Sequence, residues 1–382
     1  MIAWLGDNII SSLGFTTEAN YQAAKDGKTG IAYYPASEGI SEPYYASAID
    51  KEALNEAFAA HWPGKTHYTP LEKAAVLSVA GATGKIRIDL SAPDVLFIFS
   101  STKGNVHLLD EPDGSYDSNR LYLWHSARTI AAHFGNPNEP VVVSNACISG
   151  ACAQIAAMRE LEGRYNYAVV VGADMLSRFI ISGFQSLKAL APAPCRPFDA
   201  EREGLNLGEA AATIIYKKIE PAEAPGPLVL LDGSIRNDAN HISGPSRTGE
   251  GSFLALQAIL PPSALQEIAF VNAHGTATPY NDRMEAIALG RAGLDTVPVN
   301  SLKGYFGHTL GAAGVLESII SSHALLDSTV LSTCGFRKGE EGACPMLVSR
   351  KNMQAGKPYY IKMLSGFGGC NAALLFKKTV EA

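Results

Sequence analysis

Val141-Val142-Val143-Ser144-Asn145-Ala146-Cys147-Ile148-Ser149-Gly150-Ala151-Cys152-Ala153-Gln154-Ile155-Ala156-Ala157-Met158 is the stretch that decides how this chain is read. Its first residues form a short β-branched apolar run, the pattern of a buried strand, and the remainder is Ala-rich and helical. Cys147 stands at the junction, where the unsatisfied N–H groups of a helix N-terminus favour a thiolate. The thiolate is the nucleophilic form of cysteine, so the placement suggests covalent catalysis. A lone cysteine is also at home in plain packing, so the case for Cys147 depends on the rest of the chain.

Moving outward, strand-like and helix-like segments alternate. Asp94 to Phe99, Tyr167 to Ala173 and Ala210 to Lys217 read as strands, and Asn119 to Phe134 reads as a helix that stops at Gly135-Asn136-Pro137. Pro221 to Pro227 reads as a linker or exposed turn. The second half repeats the grammar. Leu228 to Gly233, Phe270 to Ala273, Val297 to Asn300, Tyr359 to Leu364 and Ala372 to Phe376 read as strands, while Gly251 to Leu260, Asn281 to Gly293 and Gly311 to Leu326 read as helices. In both halves a strand delivers a reactive side chain at its C-terminal end, where α/β sheets gather their ligand sites. The expectation is an α/β protein made of two similar halves, 1–220 carrying the nucleophile and 221–382, with one site between them.

Composition bounds the function. The 382 residues suggest two domains or one large α/β unit, and 47% hydrophobic with 18% charged residues is ordinary for a well-packed protein. A net charge of −6 without a Lys/Arg cluster gives no sign of nucleic-acid binding. The N-terminus lacks a basic region and long apolar core, and no apolar run approaches the roughly 18 to 20 residues of a membrane helix. Six cysteines at 147, 152, 195, 334, 344 and 370 show no CxxC pair and no metal-ligand spacing. These features lead us to expect a reduced, cytoplasmic protein without a metal site.

Three further segments carry chemistry: Asn272-Ala273-His274-Gly275-Thr276-Ala277-Thr278-Pro279-Tyr280-Asn281-Asp282, Asn300-Ser301-Leu302-Lys303-Gly304-Tyr305-Phe306-Gly307-His308-Thr309-Leu310-Gly311-Ala312-Ala313-Gly314, and Gly366-Phe367-Gly368-Gly369-Cys370-Asn371. Each has a plain alternative: a hydrogen-bonded structural histidine, a solvated lysine, a glycine turn. Together with Ala146-Cys147-Ile148-Ser149-Gly150, Arg196 to Gly204 and Gly208-Glu209-Ala210, and in this order, they resemble the elongating β-ketoacyl-(acyl carrier protein) synthases of the thiolase superfamily. That group includes type II polyketide and aryl-polyene-like ketosynthases. The resemblance covers essentially the whole chain and implies a pseudo-duplicated five-layer αβαβα fold.

It also implies roles. Cys147 would carry the acyl chain. His274 and His308 would face the malonyl thioester carbonyl and stabilise the enolate left by decarboxylation. Lys303 would order the surroundings of His308 and tune the histidines, with Glu317 as its acidic partner. The backbone N–H groups of Cys147 and Phe367 would form an oxyanion hole, and Thr276 and Thr278 would hydrogen-bond the pantetheine arm. No cofactor is implied, because substrates travel on the phosphopantetheine of an acyl carrier protein.

The chain departs from the family at Ser365, where many members have phenylalanine, and at Ile148, where a smaller residue is common. The first implies a different gate and the second a narrower pocket. Gly208-Glu209-Ala210-Ala211 also replaces the commoner Gly-Glu-Gly-Ala. The implied partners are an acyl carrier protein and a second, identical or related chain, paired through the strand near Val169 to Val171. A basic docking patch is expected, with Lys73, Arg159 and Arg164 as candidates. Two other readings compete: a non-catalytic chain-length-factor-like subunit, and a thiolase or CoA-primed synthase. The first would lack the cysteine, and the second would not place a histidine at 308.

Overall fold

The computed structural model describes residues 1–110, 117–219, 226–241 and 244–379. Eleven strands form its main sheet: β1 (Ile2–Ser11), β2 (Val95–Ser100), β3 (Val141–Val143), β4 (Tyr167–Asp174), β5 (Ala210–Lys218), β6 (Leu228–Asn237), β7 (Ile268–Asn272), β8 (Pro298–Asn300), β9 (Leu347–Val348), β10 (Tyr359–Gly366) and β11 (Cys370–Lys378). Their spatial order is β9-β8-β7-β10-β11-β6-β1-β5-β4-β2-β3.

Apart from β9, which has no counterpart, this order reads the same from its middle outward. β1-β5-β4-β2-β3 and β6-β11-β10-β7-β8 match position by position. Each set begins with antiparallel pairs and ends with parallel ones. The two sets meet where Ile2 and Ala3 of β1 pair with Leu230 and Val229 of β6. The changeover between sets lies between Lys218 and Leu228. The proposed boundary at 220/221 and most of the linker read at Pro221 to Pro227 fall outside the described residues.

Six helices build the remaining layers. α1 (Pro70–Thr83) and α2 (Leu123–His133) cover the outer face of the first set, and α4 (Glu250–Ile259) and α5 (Pro279–Arg291) lie beyond the second. α3 (Ser149–Glu162) and α6 (Ala313–Leu326) each touch strands of both sets and so lie between them. The result is the five-layer αβαβα architecture of the thiolase fold. Three large apolar clusters fill it: one around the central helices, and one under each outer layer. Strands covered on both faces have no need of polar alternation, which explains the continuous runs Val95–Ser100 and Tyr167–Asp174.

The central helices cross at glycines. A Cβ on Gly150 would lie 2.8 Å from the Val315 nitrogen, and one on Gly314 would lie 2.4 Å from the Ala151 nitrogen. With no side chain at either position the two backbones touch, and the N-terminal ends of α3 and α6 come together. Those ends follow Cys147 and His308.

The sheet does not allow the expected pairing of a second chain through Val169 to Val171. Val169 to Val171 belong to β4, which has β5 on one side and β2 on the other and is buried, so it offers no edge to a second chain. The sheet ends at β3, half-buried Val141–Val143.

Candidate active site

Cys147 sits on a sharp turn from β3 into α3. Ala146 before it has a φ of +44°, a left-handed conformation that costs a non-glycine residue about 1–3 kcal/mol. Ser149 holds the turn: its hydroxyl donates to Ala146 O at 2.6 Å and accepts from the Asn145 N–H at 2.8 Å. The helix begins at Ser149 with Ile148 as its N-cap residue, so Cys147 precedes the first turn.

His274 follows β7. Its backbone N–H donates to Glu285 Oε1, and the Gly275 N–H donates to Glu285 Oε2, both at 2.7 Å. Gly275 has a φ of +46°, and a Cβ there would strike Ser301. His308 is held from the other half of the chain: its N–H donates to Asn206 O at 2.7 Å, and the Gly208 N–H donates to His308 O at 3.0 Å. Two further strained positions lie here. Ala277 and Leu310 also have positive φ and adjoin Thr276, Thr278 and His308.

Cys147 Sγ and one nitrogen from each histidine lie within 4.8 Å of one another, and all three side chains are buried. They open onto a cavity of about 600 Å³ that Thr276, Thr278, Ser365 and Phe367 also line. The two imidazoles meet edge to face with centroids 5.0 Å apart. The Leu310 N–H donates to His308 Nδ1 at 3.3 Å, which assigns the proton of the neutral ring to Nε2. Nε2 is buried and has no partner, and neither has His274 Nδ1.

Burial, reinforced by Lys303 and Lys362, pushes both histidines well below their usual range, and the His308 imidazole adds to this at His274. Both rings are therefore neutral at ordinary pH. The thiolate expected from the helix terminus is not the resting form. Burial, with Cys370 nearby, pushes the Cys147 thiol up to about 12, and Lys303 and the Phe367 backbone N–H oppose this only in part.

Lys303 and Glu317 form a buried ion pair behind the histidines. Glu317 also pairs with Lys362, 2.6 Å away and equally buried, a residue given no role in the sequence reading. Burial alone would raise the Glu317 carboxyl, but Lys303 and Lys362 together hold it below its usual value. Glu285 is raised to about 7 by burial and by Asp282, against the pull of its two N–H donors.

The remaining candidates divide. Thr276 and Thr278 join hydroxyls at 2.8 Å on the cavity wall. The Phe367 ring is 40% exposed and stacks on Phe184 at the cavity wall. The Ser365 hydroxyl donates to Asn371 Oδ1 at 2.8 Å. Ile148 does not line the cavity: it is fully buried in the central apolar cluster, so the narrowing expected of it does not occur at the wall. Lys73, Arg159 and Arg164 also lie off the cavity wall.

Comparison with known proteins identifies the family. The β-ketoacyl synthase N-terminal domain matches residues 108–222, and the β-ketoacyl synthase C-terminal domain matches 229–337. Together they span more than half the chain, which belongs to the β-ketoacyl synthase family. Among curated relatives, 3-oxoacyl-[acyl-carrier-protein] synthase 2 of Vibrio harveyi is 34% identical over 262 residues, covering 63% of this chain and 62% of the relative. Nodulation protein E of Rhizobium meliloti is 32% identical over 248 residues, covering 62% and 61%. The chain thus spans under two thirds of the length of these relatives. A ketosynthase in complex with its chain length factor from Xenorhabdus doucetiae shares the fold with a TM-score of 0.85 at 23% identity, over 99% of this chain and 98% of that one. A β-ketoacyl synthase from Burkholderia phymatum gives a TM-score of 0.84 at 24% identity, over 99% of each chain. Among the described residues, no helix is long and apolar enough to cross a membrane.

Proposed function

We propose that this protein is a β-ketoacyl-(acyl carrier protein) synthase, joining an acyl chain held on Cys147 to a malonyl unit with loss of CO₂. The observation that carries the reading is one cavity in which Cys147 lies within reach of two neutral imidazoles, with the His308 Nε2–H unpartnered and buried. In the first half-reaction the Cys147 sulfur attacks an acyl thioester, the carrier thiol leaves, and the Cys147 proton passes to the medium or the departing thiolate. His274 is the group available to relay it, since no hydrogen bond fixes its Nδ1. In the second, malonyl thioester loses CO₂ and its enolate oxygen is met by imidazole N–H groups. The carbanion attacks the acyl-Cys147 carbonyl, with the Cys147 and Phe367 amides as oxyanion donors. Collapse breaks the C–S bond, and the Cys147 thiolate takes a proton from the medium.

A neutral His308 presents an N–H and not a lone pair to the cavity, which supports a donor role over a metal-ligand role. Lys303 and Glu317 act behind the imidazoles, and Thr276 and Thr278 hold the pantetheine arm. No cofactor enters the scheme. The reading includes two partners: an acyl carrier protein, and a second ketosynthase-like chain that can add at the open β3 edge. The halves 1–220 and 221–382 serve as nucleophile half and decarboxylation half. The presence of Cys147 with both histidines supports an active subunit over a chain-length factor, and His308 supports malonyl chemistry over thiolase chemistry. The test is product balance: with acyl and malonyl carrier proteins, one CO₂ should appear for each β-ketoacyl product. Product without CO₂ release, or no product from any acyl carrier, would reject the reading.

A further inference from the structure

Lys362 lies in β10, a strand with neighbours on both sides and layers on both faces, and its side chain has no access to solvent. Its Nζ stands 2.6 Å from Glu317 Oε2 and donates to Ala273 O at 3.2 Å, with Asn272 O at 3.5 Å. Glu317 already pairs with Lys303 through its other oxygen. One buried carboxylate therefore holds two ammonium groups. For stability alone the second cation is unnecessary, because a single pair satisfies the carboxylate and each further buried charge adds desolvation cost.

Its location supplies a reason. Ala273 O and the His274 N–H are the two ends of one peptide group. Lys362 holds the carbonyl end, and Glu285 holds the N–H end at 2.7 Å. The backbone that aims the His274 imidazole is gripped by a cation on one side and a carboxylate on the other.

We propose that Lys362 is a positioning residue for His274, fixing the Ala273–His274 peptide and, with Lys303, supplying the positive field in which the enolate oxygen forms. This role rests on the condensing-enzyme reading above. The charged and titratable groups facing Lys362 are Glu317 from α6, Lys303 from the turn before His308, Glu285 from α5, and the imidazoles of His274 and His308. Burial, with Lys303, brings its ammonium down to about 8 against the pull of Glu317. As pH rises through that value the Lys303–Glu317–Lys362 cluster goes from one net positive charge to none, so decarboxylation should show an alkaline limb there.

The experiment compares the parent with Lys362→Met, which leaves the Lys303–Glu317 pair in place, and Lys362→Arg. Malonyl-carrier decarboxylation without an acyl primer and acylation of Cys147 are each followed across pH, with thermal melting as a fold check. Lys362→Met should lower kcat of decarboxylation about tenfold to a hundredfold, the scale of a misaimed catalytic group, with little change in KM. It should slow acylation much less and lose the alkaline limb, and Lys362→Arg should restore part of kcat. A parental rate and pH profile in Lys362→Met, or equal loss in both half-reactions, would overturn the proposal. Should Lys362→Met not fold, Lys362→Gln decides, since it keeps a donor without charge: loss of the limb supports the field, and a parental limb overturns it. A parent that neither acylates Cys147 nor decarboxylates overturns the functional reading itself, and this role with it.

Discussion

The two halves share one strand order and place different side chains at corresponding ends. β3 leads to Cys147, and its counterpart β8 leads to Lys303 and His308. Burial keeps Cys147 a thiol, pushed up to about 12. Behind the histidines stands a buried charge cluster of Lys303, Glu317 and Lys362, with Glu285 on the backbone of His274. The repeat thus supplies geometry, two helix ends brought together at Gly150 and Gly314. Under the proposed function the difference supplies chemistry: a neutral nucleophile in one half, an electrostatic device for a developing anion in the other.

If that division is right, substitutions on the two sides should fail in different ways. Cys147→Ala should show the largest effect, complete loss of acylation and condensation with unchanged melting; retained condensation would remove the nucleophile from the account. His308→Asn should come next, cutting decarboxylation about 10²–10³-fold, the scale of losing one oxyanion donor, while acylation of Cys147 changes far less. Equal loss in both half-reactions would erase the contrast between the halves. Gly314→Ala probes the shared geometry. Its Cβ meets the Ala151 backbone at 2.4 Å, so stability should fall by about 1–3 kcal/mol, and a parental melting temperature would show that the helices need not touch. Ser365→Phe should act least, shifting acyl-chain preference about tenfold in kcat/KM without affecting decarboxylation. An unchanged chain profile would show that the cavity wall at 365 does not select the chain.

Much of this was legible in the residues. The β-branched and apolar runs announced nine of the main strands because they are covered on both faces, and the Cys, His and Lys segments lie at strand ends where the fold brings them together. The first strand, Ile2–Ser11, was not, since Gly6-Asp7-Asn8 interrupts its apolar pattern. Ala146 carries no mark of its positive φ, which is imposed by the turn that Ser149 clamps. The resting state of Cys147 depends on burial from distant segments, and helix position alone pointed the other way. Ile148 was misplaced because a neighbour in sequence on a turning backbone need not share a wall. Lys362 did leave a signal: a lone lysine within Tyr359-Tyr360-Ile361-Lys362-Met363-Leu364, a buried apolar strand, must find an acidic partner.

The most direct test of the central claim is intact-mass spectrometry of the protein incubated with an acyl carrier thioester and then with malonyl carrier protein. The account predicts one acyl increment that maps to Cys147, is absent in Cys147→Ala, and disappears when the malonyl substrate is added. An increment on another residue, or one on Cys147 that malonyl carrier protein does not discharge, would contradict it.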